Sequence, residues 1–139
     1  MRLAAFLASL WLAGGACAAS GEPAAGLIAQ ADGYWAAGRL EQAQQAFEAA
    51  VAAEPGSVAV LLRLAGFQLS RQQTAASVAS YQRAIGLEPN NAKAWMGLGL
   101  AYLHGGDKAL ARSAFEEVVH LEPTRKESLS EVLANLEGQ

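Results

Sequence analysis

Apolar and small residues recur along this chain at one spacing, and the whole pattern repeats every 34 residues. Prolines lie at 55, 89 and 123, and a glutamate precedes each of them. The same offset aligns further columns of similar residues: Leu27, Leu61 and Trp95; Ala31, Ala65 and Gly99; Ala43, Ser77 and Ala111; Phe47, Tyr81 and Phe115; Ala50, Ala84 and Val118. So many columns at one period indicate an internal repeat in which each copy is one structural unit.

Each copy contains two apolar stretches at helical spacing, so each predicts a pair of helices. Gly38 and Gly106 lie between the stretches, where a tight reversal favours a positive φ. The prolines cannot sit inside a helix without the loss of a hydrogen bond, so they end the second helices. Polar residues are placed to cap the helices, Thr74 and Asp107 at second helices and Ser57 and Asn91 at first helices.

A single helix is predicted for residues 126–137, after the third copy. Its apolar residues form one stripe at helical spacing: Leu129, Val132, Leu133 and Leu136. A stack of repeats must cover its last apolar face, so this segment is interpreted as a capping helix.

The period of 34 residues, together with these residue types, resembles the tetratricopeptide repeat, a helix–turn–helix unit. The third copy carries the strongest match: Trp95, Leu98, Gly99, Tyr102, Ala111, Phe115 and Pro123. The resemblance divides the chain into repeats at 24–57, 58–91 and 92–125, followed by the helix at 126–137. It implies an all-α fold, a right-handed superhelix of antiparallel helix pairs.

In this family the first helices line a concave groove that binds peptides or partner proteins. The resemblance therefore implies a partner groove formed by Ile28, Trp35, Leu62, Arg63, Leu69, Lys93, Met96, Leu100 and Leu103. An exposed apolar surface of this size usually marks an interface, and an amphipathic helix laid in a groove is one way to fill it. The alternative is that part of this stripe packs against neighbouring helices.

Charged residues at this groove are few. Arg63 and Lys93 border the apolar residues and would steer acidic groups of a partner. A subset of the family grips a partner's C-terminal carboxylate with basic and amide side chains. At the corresponding positions only Lys93 fits, and Asp32 opposes an anion.

The first eighteen residues predict an export signal. Met1 and Arg2 give a positive start, residues 3–13 are apolar, and small residues follow. Eleven apolar residues are too few for an ordinary membrane-spanning helix, although the small residues extend the run towards a marginal anchor. We therefore expect a periplasmic or secreted protein.

Cys17 is the only cysteine in the chain, so no disulfide can form within it. Cleavage after Ala18 would follow the small-x-small pattern and remove Cys17. The alternative is lipid attachment at Cys17 in a membrane-anchored lipoprotein. Gly15 and Ala16 fit the lipoprotein signal, but Gly14 stands where an aliphatic residue is usual.

Four glycines near residue 100 invite comparison with phosphate-binding loops. A dinucleotide fingerprint would need a glycine at position 102, which is tyrosine, and a strand before it. His104 and His120, the only histidines, have no neighbouring pattern of nucleophiles or metal ligands. The chain has a net charge of −3 and no basic stretch after residue 2, so we do not expect it to bind nucleic acid. The pattern predicts no catalytic residue, no cofactor and no metal.

The predicted function is that of an exported, non-catalytic scaffold or adaptor that binds a protein or peptide partner in its concave groove. Two alternatives stay open. One is a self-associating, dimeric assembly module, and the other is an accessory subunit of an envelope enzyme or of a secretion or assembly complex.

Overall fold

The computed structural model describes residues 24–138, which form seven α-helices and no strand. The predicted export signal and Cys17 lie outside the described residues. The helices are α1 (Ala24–Ala36), α2 (Leu40–Ala53), α3 (Val58–Ser70), α4 (Thr74–Leu87), α5 (Ala92–His104), α6 (Lys108–Leu121) and α7 (Lys126–Glu137), with a 3₁₀ turn at Pro123–Arg125. The prediction of an all-α fold is confirmed. Among these helices, none has both the length and the apolar character needed to cross a membrane.

The helices form a curved stack in which each one packs against its neighbours in sequence. Helix α1 also approaches α3, and α3 approaches α5, whereas no close approach joins α2 to α4 or α4 to α6 in the described part of the chain. The first helices of the pairs are therefore closer together than the second helices. The stack curves with α1, α3 and α5 on its concave face and α2, α4 and α6 on its convex face.

Polar caps begin three of the helices as predicted. The side chains of Ser57, Asn91 and Asp107 accept hydrogen bonds from the backbone N–H groups of Val60, Ala94 and Leu110, respectively. These bonds satisfy donors that a helix start leaves without an intrahelical partner.

The predicted cap at Thr74 is wrong. Helix α4 begins at Thr74 itself, and the preceding residue, Gln73, makes no capping bond with its side chain. The 34-residue offset explains the error, because Asp107 corresponds to Gln73 and Thr74 corresponds to the first residue of α6, Lys108.

The turns within the helix pairs each contain one residue with a positive φ. Gly38 and Gly106 adopt φ values of 73° and 82°, as predicted, and the corresponding residue of the second pair is Gln72, with φ 60°. A side chain strains this backbone conformation, whereas glycine adopts it freely. The second helices of the three pairs end two residues before Pro55, Pro89 and Pro123, which confirms the predicted role of the prolines.

The core is a chain of small clusters between adjacent helices. The aromatic column supplies three of its large side chains, with Phe47, Tyr81 and Phe115 exposed by 0%, 8% and 1%. The second pair has polar residues in columns that are apolar elsewhere, and hydrogen bonds satisfy them. Ser77 donates to the Ala65 carbonyl oxygen over 2.8 Å, and Ser80 donates to Gln68 Oε1 over 2.7 Å.

Helix α7 covers the end of the stack. Leu129 is buried in a cluster with Phe115 and Val118, and Val132, Leu133 and Leu136 pack against the same cluster. This single helix closes the apolar surface that the third pair would otherwise leave open to water.

Two glycines provide a test of the turn geometry, because the same substitution should act in opposite directions. Gly106→Ala forces a methyl group into a positive-φ position and should lower the free energy of unfolding by about 1–2 kcal/mol. Gly86 lies inside α4 with no atom near the position of an added methyl group. Gly86→Ala should therefore raise the free energy of unfolding by about 0.5–1 kcal/mol. Urea unfolding measures both values, and an unchanged or raised free energy of unfolding for Gly106→Ala would contradict the described turn.

Candidate functional site

A central hollow lies on the concave face, and we define it by its lining residues: Ile28, Ala59, Leu62, Arg63, Tyr81 and Lys93. Its volume is about 510 Å³. Four of the predicted groove residues meet here, namely Ile28, Leu62, Arg63 and Lys93. They come from α1, α3 and α5, so three consecutive first helices build one recess.

A second recess, the N-terminal hollow, adjoins the first and is lined by Asp32, Trp35, Ala36 and Arg63. Its volume is about 250 Å³. Arg63 borders both hollows. The predicted groove residue Trp35 forms a wall of this recess and is half-buried.

Trp35 is also part of the packing between the first two helix pairs. Its ring meets Phe67 edge-on, with centroids 5.5 Å apart, and meets Phe47 in the same manner at 6.5 Å. Such edge-to-face pairs stabilise beyond the area they bury. Trp35 therefore holds α1 against α3 and presents to the groove only the part of its ring that this packing leaves uncovered.

The remaining predicted groove residues divide into two groups. Leu69 and Met96 are half-buried and pack against core clusters. Leu100 and Leu103 are exposed by 47% and 38% on α5. By the 34-residue offset, Leu100 corresponds to Asp32 and Leu103 to Trp35, so the groove-facing positions of α5 carry uncovered leucines.

The charges in the two hollows are unequal. Arg63 forms an ion pair with Asp32 across α1 and α3, so the two charges largely compensate one another. Asp32 Oδ1 is buried and has no hydrogen-bond partner among residues 24–138. Lys93 is exposed and makes no hydrogen bond or ion pair within that range. Lys93 is therefore the uncompensated charge of the central hollow.

Tyr81 is a groove residue that the sequence analysis missed, because it belongs to a second helix, α4. Its ring lies against the backbone of α5 at Gly97, where an added Cβ would come within 2.2 Å of the ring. The Tyr81 hydroxyl oxygen is 3.9 Å from the Cβ position of Gly66 on α3. Burial raises the pKa of the Tyr81 phenol above its usual range, because it disfavours the charged form.

Two features of the sequence could have identified Tyr81 as a groove residue. It is the one tyrosine of the aromatic column, and the neighbouring first helices carry glycine at Gly66 and Gly97. Where first helices lack side chains, an aromatic ring from the layer behind them reaches the concave face.

No group of three or more His, Cys, Asp or Glu side chains is gathered for a metal ion anywhere in residues 24–138.

The sequence model for the tetratricopeptide repeat matches residues 28–86 and 68–125. Solved structures share the arrangement of helices. The first such domain of Spaghetti (RPAP3), bound to the HSP90 peptide SRMEEVD, aligns with a TM-score of 0.73 at 21% identity and covers 81% of this chain and 89% of that one. The second domain of human RPAP3, in complex with the HSP70 peptide SGPTIEEVD, aligns with a TM-score of 0.70 at 22% identity and covers 84% and 99%. At these identities the likeness establishes the fold alone.

Curated relatives match over part of their length. The Hsp70-Hsp90 organizing protein of Triticum aestivum is 30% identical over 98 residues, which is 70% of this chain and 17% of that protein. The peroxisomal targeting signal receptor of Pichia angusta is 37% identical over 68 residues, 49% of this chain and 12% of the receptor. The chain thus spans less than a fifth of either relative.

The contact between Gly97 and Tyr81 can be tested by a double-mutant cycle. Gly97→Ala places a methyl group inside the Tyr81 ring and should lower the free energy of unfolding by about 1–3 kcal/mol. In a Tyr81→Leu background the ring is absent, and the same change should cost less by at least about 1 kcal/mol. Thermal and urea unfolding of the four proteins gives both values. An equal loss in the two backgrounds would show that the ring does not lie against Gly97.

Proposed function

Because the chain belongs to the tetratricopeptide repeat family, we propose that it is a non-catalytic scaffold that binds a protein or peptide in the concave groove formed by α1, α3 and α5. The observation that carries the proposal is the exposure of Leu100 and Leu103 on α5, the helix that also supplies Lys93 to the central hollow. Water-exposed leucines on a helix of the concave face form a surface on which a partner would bury area.

The solved relatives support this choice of function, since two of them are complexes with short peptides. The groove described above has its own set of side chains. Ile28, Leu62 and the two exposed leucines are apolar, and Lys93 supplies one uncompensated positive charge. Complete burial of a leucine side chain stabilises by roughly 1.5–3 kcal/mol, so a side chain that is already half-covered, such as Leu100, contributes about 1 kcal/mol.

The groove can be tested with two leucines of almost equal exposure on opposite faces. Leu100 is 47% exposed on the concave face, and Leu110 is 45% exposed on α6 at the convex face. We expect Leu100→Glu to reduce partner recovery at least about tenfold, because a carboxylate would have to be buried without a partner. Leu110→Glu should leave partner recovery unchanged. Crosslinking in native cells followed by mass spectrometry measures recovery, and circular dichroism checks that both variants stay helical.

Equal effects of the two variants, or a loss restricted to Leu110→Glu, would refute the groove. Light scattering of the purified chain separates the dimeric alternative. A dimer that Leu100→Glu converts to a monomer would identify a second copy as the occupant of the groove.

We also propose that the protein is exported, on the basis of the charged, apolar and small-residue segments within residues 1–18. Intact-mass analysis of the protein isolated from its native cells tests this. Cleavage after Ala18 gives a chain that begins at Ala19, and lipid attachment gives a chain that begins at an acylated Cys17. A mass that includes Met1–Ala18 would refute processing at either site.

A further inference from the structure

The layer of first helices has an opening on the concave face where Gly66 of α3 and Gly97 of α5 lack side chains. The Tyr81 ring fills this opening from behind, since its atoms occupy the position where a Cβ on Gly97 would stand. One helical turn earlier on the same two helices are Leu62 and Lys93, which line the central hollow together with Tyr81. A second-helix side chain thus forms the floor of a recess built by first helices.

Tyr81 differs from the other members of the aromatic column in two ways. It is 8% exposed, whereas Phe47 and Phe115 are exposed by 0% and 1%. It also carries a hydroxyl group, which makes no hydrogen bond with another residue in the range 24–138. By contrast, the hydroxyl of Tyr102 accepts a hydrogen bond from Gln82 Nε2 over 3.0 Å. The Tyr81 hydroxyl is therefore available to a group that enters the hollow.

The charges around the hollow select the kind of group that would enter. Asp32 compensates Arg63, so among residues 24–138 the uncompensated charge at the hollow is that of Lys93. A carboxylate accepts hydrogen bonds from an ammonium group and from a phenol, and bonds to a charged acceptor are the stronger ones. Ile28, Ala59 and Leu62 leave the rest of the lining apolar. One carboxylate beside an apolar side chain complements this lining.

The side chains of the groove favour a carboxylate from within a chain over one at a chain end, because only Lys93 fits the family's grip on a C-terminal carboxylate and Asp32 opposes an anion. Arg63 borders both the central and the N-terminal hollow, so the two hollows share one side chain of α3. On the other side of α3, Leu100 and Leu103 are exposed on α5, at the positions that correspond to Asp32 and Trp35 of α1. A bound segment that crosses α3 would therefore meet groove residues of α1 on one side and of α5 on the other.

Given the proposed function, we infer that Tyr81 and Lys93 jointly bind an aspartate or glutamate side chain inside a partner segment, with an adjacent apolar residue in the hollow between Ile28 and Leu62. Tyr81 is then a specificity-determining residue supplied by the second-helix layer. Its ring packs against α5 at Gly97, and its hydroxyl contributes to recognition.

The probe for this inference is a library of random 12-residue peptides displayed on phage with both ends joined to fixed sequence, so that no random residue carries a free terminal carboxylate. The library is panned on the full chain. We expect the selected peptides to be enriched in Asp or Glu next to Leu, Ile, Met or Phe. The strongest binder is then synthesised with blocked ends and measured by fluorescence anisotropy.

Two substitutions test the named side chains on that peptide. Tyr81→Phe should weaken binding about tenfold, the effect of one hydrogen bond to a charged group, and should leave the melting temperature unchanged. Lys93→Glu should weaken binding more than tenfold. Lys126→Glu on α7 makes the same change in net charge outside the hollow and should alter affinity less than twofold.

The outcomes separate this inference from the proposed function. Peptides whose binding Leu100→Glu blocks, but which lack acidic residues and bind Tyr81→Phe and Lys93→Glu as well as the unaltered chain, would overturn the inference and leave the groove intact. Recovery of no peptide that depends on Leu100 would overturn the proposed function and the inference with it.

Discussion

Helix α5 is held between two aromatic rings at two glycines, and the arrangement of the stack depends on this contact. Gly97 meets Tyr81 of α4, and Gly99 meets Phe115 of α6, with Cβ positions as close as 2.2 and 2.6 Å to ring atoms. Residues two apart on an α-helix point about 200° apart, so the rings approach α5 from opposite sides. A glycine inside a helix costs about 0.5–1 kcal/mol relative to alanine, and the close packing of two aromatic side chains offsets that cost.

The curved shape follows from such local contacts, and so does the candidate site. Each helix packs against its sequence neighbours, first helices approach one another, and second helices do not. First helices therefore form the concave face, and the side chains they do not use for packing line its hollows. The glycines that admit Tyr81 to α5 also remove the side chains that would cover it. The contact between Tyr81 and the glycines thus determines both the spacing of the helices and the presence of the Tyr81 hydroxyl on the floor of the groove.

The repeat made much of the fold predictable, because each structural position occurs three times in the sequence and the residue types at the three copies can be compared. The helix pairs, three of the caps and the positive-φ glycines follow from residue types at fixed offsets. Thr74 failed as a cap because the second turn carries Gln72 and Gln73, which hide its register. At the site, helical spacing identified the helix face that carries Leu62 and Lys93, but it does not show how deeply each side chain on that face is buried. Leu69 and Met96 lie partly in the core, and Tyr81 reaches the groove from another layer, so neither result could be read from the phase of one helix.

The position of the partner can be measured directly, because the chain has three tyrosines in different surroundings. Tyr81 lies at the floor of the central hollow, Tyr102 bonds to Gln82 on α4, and Tyr34 packs in the first cluster. Fluorine NMR of the full chain labelled with 3-fluorotyrosine, with assignments from single Tyr→Phe variants, reports on all three rings during titration with a selected peptide. A partner in the concave groove shifts the Tyr81 resonance and leaves that of Tyr102 in place. A shift of Tyr102 with Tyr81 unchanged would place the partner elsewhere and contradict the groove.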